Sequence, residues 1–303
     1  IIYTGFYGLF FITLTSFITN IIVPHDFLHN IFLHTVGLLF FLFIPVKDKK
    51  KYIKVIFFIS LFTLSALLIS KTHDDFSYYH LPITKYLTEH KIIFGTANLS
   101  HGYKLLSSLF FLNSTFYLPF IEYYSFHFSL IFFLIFFNFF ILKEIYSNHN
   151  HEISKYLYLL AFIFFNLSFN RLAEYGTDKA GQLLMVILMI KIFDITCLKK
   201  KDGNFKDLLF LIPLFGFCFT LKTYFIPYLL FAGMIFVFRE SYKSILKELI
   251  YSRSFIFFIL TLSIYFFLNF VSTGCILSPI AFTCFGDNLD WAYNRLHFEN
   301  LSI

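Results

Sequence analysis

Long apolar stretches alternate with short polar loops along most of the chain. Nine apolar segments can be distinguished, at residues 1–23, 27–46, 53–69, 126–142, 156–169, 183–198, 208–221, 224–238 and 255–271. A helix perpendicular to a bilayer needs about 20 apolar residues to cross the hydrocarbon core. Because helices satisfy their own backbone hydrogen bonds in lipid, the pattern predicts an all-α, polytopic integral membrane protein with about nine transmembrane helices.

The segments 208–221 and 224–238 are short and are separated only by a tight turn at Lys222. Pro213 and Pro227 kink helices at these positions. Two interpretations stay open for the pair, namely two short tilted or kinked helices, or a re-entrant hairpin that turns back near Lys222. The first interpretation is favoured.

The positive residues indicate the orientation. Four short loops hold most of the 24 Lys and Arg residues: Lys47, Lys49, Lys50, Lys51 and Lys54; Lys143 and Lys155; Lys199, Lys200, Lys201 and Lys206; and Arg239, Lys243, Lys247 and Arg253. Cytoplasmic loops carry such an excess, and nine alternating crossings place all four loops on one side. We therefore expect residue 1 to be cytoplasmic and residue 303 to lie outside.

The composition supports this class and excludes others. Hydrophobic residues make up 58% of the 303 residues and charged residues only 14%, which is too little polar surface for a soluble domain of this size. The net charge of +6 is spread over loops, so no nucleic-acid partner is predicted. The excess of Lys over Arg favours an AT-rich bacterial source and hence the inner (cytoplasmic) membrane. We interpret residues 1–303 as one transmembrane domain and as a fragment of a longer chain.

Two long polar segments fall on the outer side. The first is the loop 71–125, in which apolar residues recur at spacings of three and four over 104–118. This pattern predicts a helix lying in the membrane interface, stopped by Pro119. The second segment is the outer tail, 272–303.

The first outer loop opens with the sequence KTHDDFSYYH, which follows directly on an apolar segment. A carboxylate that is partly shielded from water accepts a proton more readily, which suits a general base, so Asp74 and Asp75 are the candidate catalytic residues. Adjacent helical residues point about 100° apart, and only one of the two is expected to face a cleft. His73 and His80 flank the pair as candidate substrate-binding residues. The alternative is a polar collar at a helix end.

The second outer loop adds a further acidic pair, Glu174 and Asp178, at i, i+4 spacing. Both are candidate binding residues, and local salt bridges such as Arg171–Glu174 are the alternative. Cations suit a lipid phosphate, so the outer candidates are Arg171, Lys104, Lys179 and Lys222, of which Lys222 is the most conspicuous. For Lys222 the alternative is snorkelling to the interface.

The sequence indicates a metal site and a disulfide less clearly than it indicates the acidic and basic candidates. The imidazole and carboxylate groups of 73–80 can hold a divalent cation, but their spacing matches no established metal motif. No cofactor is therefore assigned, and a divalent cation stays open. Cys275 and Cys284 are the two outer cysteines and suggest a disulfide in the tail, whereas Cys197 and Cys218 behave most simply as small hydrophobes.

The arrangement resembles the GT-C superfamily, multi-pass glycosyltransferases that use polyprenyl-phosphate sugars at the outer face. The resemblance rests on an acidic pair just beyond a transmembrane helix. The stretches DDFSYYHLP, HGYKLLSSLFFLNS, EYGTDKAGQ and GCILSPIAFTCF also resemble an uncharacterised group of bacterial membrane proteins placed near that superfamily. The resemblance implies that Asp74 or Asp75 deprotonates the acceptor hydroxyl, and that Glu174 and Asp178 form the second acidic loop. In GT-C enzymes, however, the acidic loop usually follows the first helix, whereas here at least two helices precede its own.

The leading hypothesis is transfer of a sugar from a polyprenyl-phosphate donor to a cell-envelope glycan or lipid acceptor. A transporter or flippase for a polar or lipid-linked solute, or a polysaccharide polymerase, shares this topology. Acidic loops clustered over one outward groove favour transfer, and a central polar cavity favours transport.

Overall fold

The apolar segments of the sequence form helices. The computed structural model of the chain describes residues 2–43, 50, 53–54, 57–58, 60–61, 74–147, 152–167, 176–198, 205–237 and 242–294. Its helices are α1 (Ile2–Ile22), α2 (Phe27–Phe43), α3 (Leu81–Glu89), α4 (Ser108–Ser114), α5 (Phe128–Ile145), α6 (Glu152–Leu167), α7 (Thr177–Phe193), α8 (Phe205–Leu209), α9 (Ile212–Leu221), α10 (Leu229–Val237), α11 (Tyr242–Ile250) and α12 (Arg253–Thr273). No β-strand occurs within these residues, which confirms the all-helical class.

Among the described residues, three helices are long and apolar enough to cross a membrane: Gly5–Ile22, Tyr123–Ile145 and Arg253–Thr273. Shorter apolar helices occupy Phe27–Phe43, Asp207–Leu221 and Thr223–Gly233. The predicted segment 53–69 lies largely outside the described residues. The protein is thus all-helical with candidate membrane-spanning helices.

Helix α9 lies at the centre of the main core. All of its residues are buried, and it packs against α7 and α12. The Phe217 ring lies 5.9 Å from the Phe10 ring of α1 and 5.8 Å from the Phe133 ring of α5. At these separations aromatic rings contribute favourable edge and offset contacts beyond their buried area. Because α9 is held on several sides, the residue at its end has a fixed position.

Helix α9 ends at Lys222, where the sequence predicted a turn. Pro213 stands at the start of α9, where a missing backbone N–H costs nothing. Lys222 adopts an extended backbone and ends the helix, and a 3₁₀ segment, Thr223–Tyr228, contains Pro227 before α10 begins. This break leaves the Lys222 side chain at the end of a buried helix.

The helix predicted over 104–118 is shorter in the structure and is enclosed by protein. Helix α4 covers Ser108–Ser114, and every one of its residues is buried. The Ser107 hydroxyl caps it by accepting from the Leu109 N–H at 3.1 Å, and α4 packs against α1, α3 and α9. The Ser114 hydroxyl lies 2.6 Å from His25 Nδ1 and Asn113 Oδ1 accepts a hydrogen bond from Ser129, whereas the Ser108 hydroxyl has no hydrogen-bond partner among the described residues. The location of α4 at the depth of the membrane interface stays a prediction.

Lys191 of α7 forms an ion pair with Glu144 of α5 at 2.5 Å. The sequence spacing suggests a different partner, Asp194, but that carboxylate accepts a hydrogen bond from Ser154 at 2.8 Å. Both contacts join helices that are far apart in the chain. Spacing along one helix therefore did not identify the partners.

Candidate functional site

The two candidate carboxylates lie at the start of a helical segment that continues into α3. Asp74 and Asp75 are helical, a π-helical turn follows at Phe76–His80, and Leu81 begins α3 without a break. Asp74 is exposed and Asp75 is half-buried. Neighbouring side chains point in different directions on a helix, so the two carboxylates have different surroundings.

Tyr79 lies next to this pair and is buried. Its ring packs against Gly102, where an added Cβ would come within 2.2 Å of the Tyr79 Cβ, so this close approach requires glycine. Burial, together with the negative charges of Asp75 and Asp178, raises the pKa of Tyr79 to about 12. The Tyr79 hydroxyl is thus kept protonated near two carboxylates from different loops.

Asp178 stands in the first turn of α7 and pairs with Lys222. Gly176 caps the helix in an extended conformation, so α7 begins at Thr177. A carboxylate in the first turn is stabilised by the free N–H groups of a helix N-terminus. The Lys222 ammonium donates to Asp178 Oδ1 and also lies 5.2 Å from the centre of the Tyr224 ring. The second outer loop and the end of α9 are joined by this pair.

Tyr79 and Lys222 line a cavity of about 160 Å³, which we call the Tyr79 cavity. Its lining includes Tyr79, Thr177, Lys222 and Tyr224, and its floor includes Ser107 and Phe110. Apolar walls with a few convergent polar groups are typical of small-molecule sites. The Tyr79 cavity is therefore the candidate site in the described part of the chain.

A hydrogen-bonded chain lies beside the cavity. Lys104 is 2% exposed, and its ammonium lies 2.6 Å from His101 Nε2. The other ring nitrogen, Nδ1, lies 2.6 Å from the Tyr293 hydroxyl. If Nε2 accepts from Lys104, Nδ1 carries the proton and donates to Tyr293. Burial lowers the pKa of Lys104, which is the direction expected for a cation removed from water.

The segment that follows α12 folds back to supply Tyr293. Gly274 ends α12 in the left-handed region (φ +76°), where an L side chain is strained. Cys275 and Cys284, the two outer cysteines of the sequence analysis, form a disulfide bond. The Tyr293 N–H donates to the Thr273 carbonyl at 3.0 Å, and Asn98 donates to the Trp291 carbonyl at 2.8 Å. The tail is thus held against the loop that carries His101 and Lys104.

The structure brings some of the sequence-predicted site residues together, and others do not join them or lie outside the described residues. The structure brings Asp75, Asp178 and Lys222 together around Tyr79, while Asp74 points away into solvent. Two further candidates, His80 and Lys104, are buried beside them. His73, Arg171 and Glu174 lie outside the described residues. In the part of the chain that the structure describes, no three His, Cys, Asp or Glu side chains form a group able to hold a metal ion, so no step is assigned to a metal.

Three residues of the site were missed or interpreted differently. Tyr79 was not among the candidate residues from the sequence, and it is buried against Gly102 and Phe110. His101 and Tyr293 meet across 192 positions of sequence, and no local spacing connects them. Only their shared position on the predicted outer side could have suggested a contact.

A family model provides the comparison with known proteins. It is described as Domain of unknown function (DUF8201) and matches residues 1–302. The chain belongs to this family. No curated protein and no solved structure matches it. The DUF8201 match includes Asp75, Tyr79, Asp178 and Lys222, so the whole candidate site lies within the region that the family model describes.

Proposed function

We propose that this DUF8201 protein is a membrane glycosyltransferase that uses a polyprenyl-phosphate sugar at the outer face of a bacterial inner membrane. In this proposal the chain crosses the membrane about nine times, with residue 1 in the cytoplasm and residue 303 outside, and its architecture is similar to that of GT-C enzymes. The acceptor is a cell-envelope glycan or lipid.

One observation carries the proposal. Tyr79 and Lys222 line one cavity, Lys222 pairs with Asp178 of the second acidic loop, and Asp75 of the first acidic loop lies close enough for its charge to raise the pKa of Tyr79. A carboxylate base and a cation beside one cavity are the two groups that glycosyl transfer from a lipid phosphate requires. A transport pathway requires instead ionisable groups along a cavity through the helix bundle.

The proposed chemistry is an inverting displacement. Asp75 takes the proton from the acceptor hydroxyl as that oxygen forms a bond to the anomeric carbon. The bond between the anomeric carbon and the phosphate oxygen breaks at the same time, and its electron pair leaves with the polyprenyl phosphate. Asp75 suits the role of base better than Asp74 because it is half-buried and close to Tyr79.

Lys222 is the group that we assign to the growing charge on the phosphate. Its side chain is 38% exposed while its ammonium is paired with Asp178, so further N–H donors remain for a ligand oxygen. The ion pair fixes the ammonium before substrate binds, and preorganised charge is what stabilises a transition state most effectively. Lys104, His101 and Tyr293 support the adjacent wall, and Arg171 is a second candidate for the phosphate.

A deletion strain tests this proposal. We expect the surface glycan of the strain to lack one sugar, and the corresponding lipid-linked sugar to accumulate, because the donor is made but not consumed. Re-expression of the wild-type chain restores both. If the deletion leaves the glycan and the lipid-linked sugars unchanged and abolishes uptake of a solute, the proposal is wrong and transport is the function.

A further inference from the structure

A second and larger depression lies on the other side of the loop 91–104. It has a volume of about 750 Å³ and is open to solvent, and we call it the outer groove. Lys85, Tyr86 and Glu89 of α3 form one wall, and Lys91, Ile93 and Tyr103 form the other. None of these residues was singled out by the sequence pattern or belongs to the Tyr79 cavity.

The outer groove combines aromatic surfaces with a charged rim. The rings of Tyr86 and Tyr103 lie 6.0 Å apart, and the Tyr86 hydroxyl donates to the Lys91 carbonyl at 3.3 Å, which fixes the ring. Lys85 pairs with Glu89 at 3.6 Å, and Lys91 is exposed. The rim therefore carries one more positive than negative charge among these three groups. Flat rings with hydrogen-bonding neighbours suit the C–H faces and hydroxyls of a sugar, and the excess charge suits an acidic group.

The outer groove and the Tyr79 cavity are separate depressions that lie close to the same short segment, Gly102–Tyr103. The helical segment that begins at Asp74 and Asp75 carries Lys85 and Glu89 further along, about 15 to 20 Å from Asp75 at the helical rise per residue. Across the loop, Tyr103 lines the groove while the preceding residue, Gly102, contacts Tyr79. A saccharide that extends about 15 to 20 Å from the groove along this helix is long enough for its end to reach Asp75.

We propose that the outer groove binds an anionic saccharide, the acceptor glycan, with its terminal hydroxyl directed to Asp75. The position of the hydroxyl rests on the proposed function, whereas the binding of the saccharide does not. A lipid chain fits less well, because Lys85, Glu89, His90 and Lys91 all lie in the lining and an acyl chain would displace the water that solvates their polar groups.

Binding by the purified full chain in detergent tests the inference. The probes are an array of acidic and neutral oligosaccharides, inorganic phosphate, and vesicles of phosphatidic acid in phosphatidylcholine. We expect an acidic oligosaccharide to bind and its neutral counterparts to bind at least about tenfold more weakly. The variants Lys91→Glu and Tyr86→Ala should each lower that affinity by about tenfold or more.

Two controls accompany these variants. Lys247→Glu alters an exposed lysine on α11 and should leave binding unchanged. Tyr251→Ala alters an exposed tyrosine that follows α11 and should also leave binding unchanged. If Tyr86→Ala fails to fold, Lys91→Glu still tests the groove, because the Lys91 side chain is at the surface.

The outcomes separate this inference from the proposed function. Binding of the vesicles without any saccharide, binding of phosphate alone, or equal affinity in the Lys91→Glu variant overturns the saccharide site. If an acidic saccharide binds in the groove but the deletion strain keeps a normal glycan, the saccharide site stands and the transferase proposal falls. If transfer occurs but no saccharide on the array binds, the groove inference alone is wrong.

Discussion

The Lys222 ammonium donates a hydrogen bond to the carboxylate of Asp178, 44 residues away in the chain. This contact joins the N-terminus of α7 to the C-terminal end of the central helix α9. From the sequence, Asp178 was a candidate binding residue of the second acidic loop, and Lys222 was a separate candidate because a cation suits a lipid phosphate. The structure shows that the two candidates form one unit, so changing either alters the other.

The ion pair is expected to matter more for activity than for stability. The side chains of Lys222 and Asp178 are 38% and 51% exposed, and exposed pairs contribute about 0.2–1 kcal/mol. Lys222→Met should therefore shift the melting temperature little, but it should lower sugar transfer about a hundredfold, because a preorganised cation is lost. Thermal unfolding in detergent and donor turnover in membranes measure the two effects.

An exchange of the two charges separates pairing from position. The double variant Asp178→Lys, Lys222→Asp should recover the wild-type melting temperature while transfer stays low. Lys155→Met, which breaks an exposed pair on α6, is the matched control and should change neither quantity. Full activity of the exchanged variant would show that the position of Lys222 is not important.

Tyr79 is expected to make stability fall steeply at high pH. Its pKa is raised to about 12 in the folded protein, from an ordinary value near 10. The folded state therefore holds a proton that the unfolded state releases, and this stabilisation is complete below pH 10 and is lost as the pH rises toward 12. By pH 11 the loss amounts to about 1 kcal/mol.

The Tyr79→Phe variant lacks this ionisation. Between pH 9.5 and 11, its unfolding free energy should decline less than that of the wild type, by about 1 kcal/mol at the upper end. Denaturant unfolding at a series of pH values provides the comparison, with Tyr251→Phe, an exposed tyrosine, as control. Parallel curves for wild type and Tyr79→Phe would contradict the environment described for Tyr79.

The disulfide between Cys275 and Cys284 should hold the tail in place. The two cysteines are 9 residues apart, and closing a loop of this length stabilises by about 2–3 kcal/mol in the chain-entropy model. In Cys275→Ser, the backbone amides of Phe285 and Tyr293, which donate to the carbonyls of Gly274 and Thr273, should exchange hydrogen faster. Cys218→Ala, a substitution in the core, is the control and should leave hydrogen exchange in the tail unchanged. If the tail amides were equally protected in Cys275→Ser and Cys218→Ala, the disulfide would not be what holds the tail in place.

The helical class followed from the sequence because apolar periodicity and length are local properties. The break at Lys222 was also visible, since Pro213 and Pro227 limit the helices on either side. The burial of α4 was not, because Ser108, Asn113 and Ser114 look like the polar face of a surface helix. The partner of Ser114, His25, lies 89 positions away in the chain.

Part of the candidate site could likewise be predicted from the sequence, and part of it could not. Asp75 and Asp178 were found because carboxylates are conspicuous in a chain with few charges. Tyr79 was not, because 20 tyrosines occur in the sequence and most apolar segments end near one. Its role depends on the close approach to Gly102 and on two charges from separate loops, which are tertiary properties.

The most direct test of the central claim compares Asp75→Asn with Asp74→Asn in the deletion strain at matched protein levels. The two side chains are neighbours and the substitutions are identical, but only Asp75 is half-buried beside Tyr79. We expect Asp75→Asn to lower the rate of sugar transfer by about 10²–10⁴-fold, the usual contribution of a general base, so that the lipid-linked sugar accumulates. Asp74→Asn should give the wild-type profile. A wild-type profile in both variants and in the double variant would mean that the pair is a polar collar at a helix end, and the catalytic assignment would be wrong.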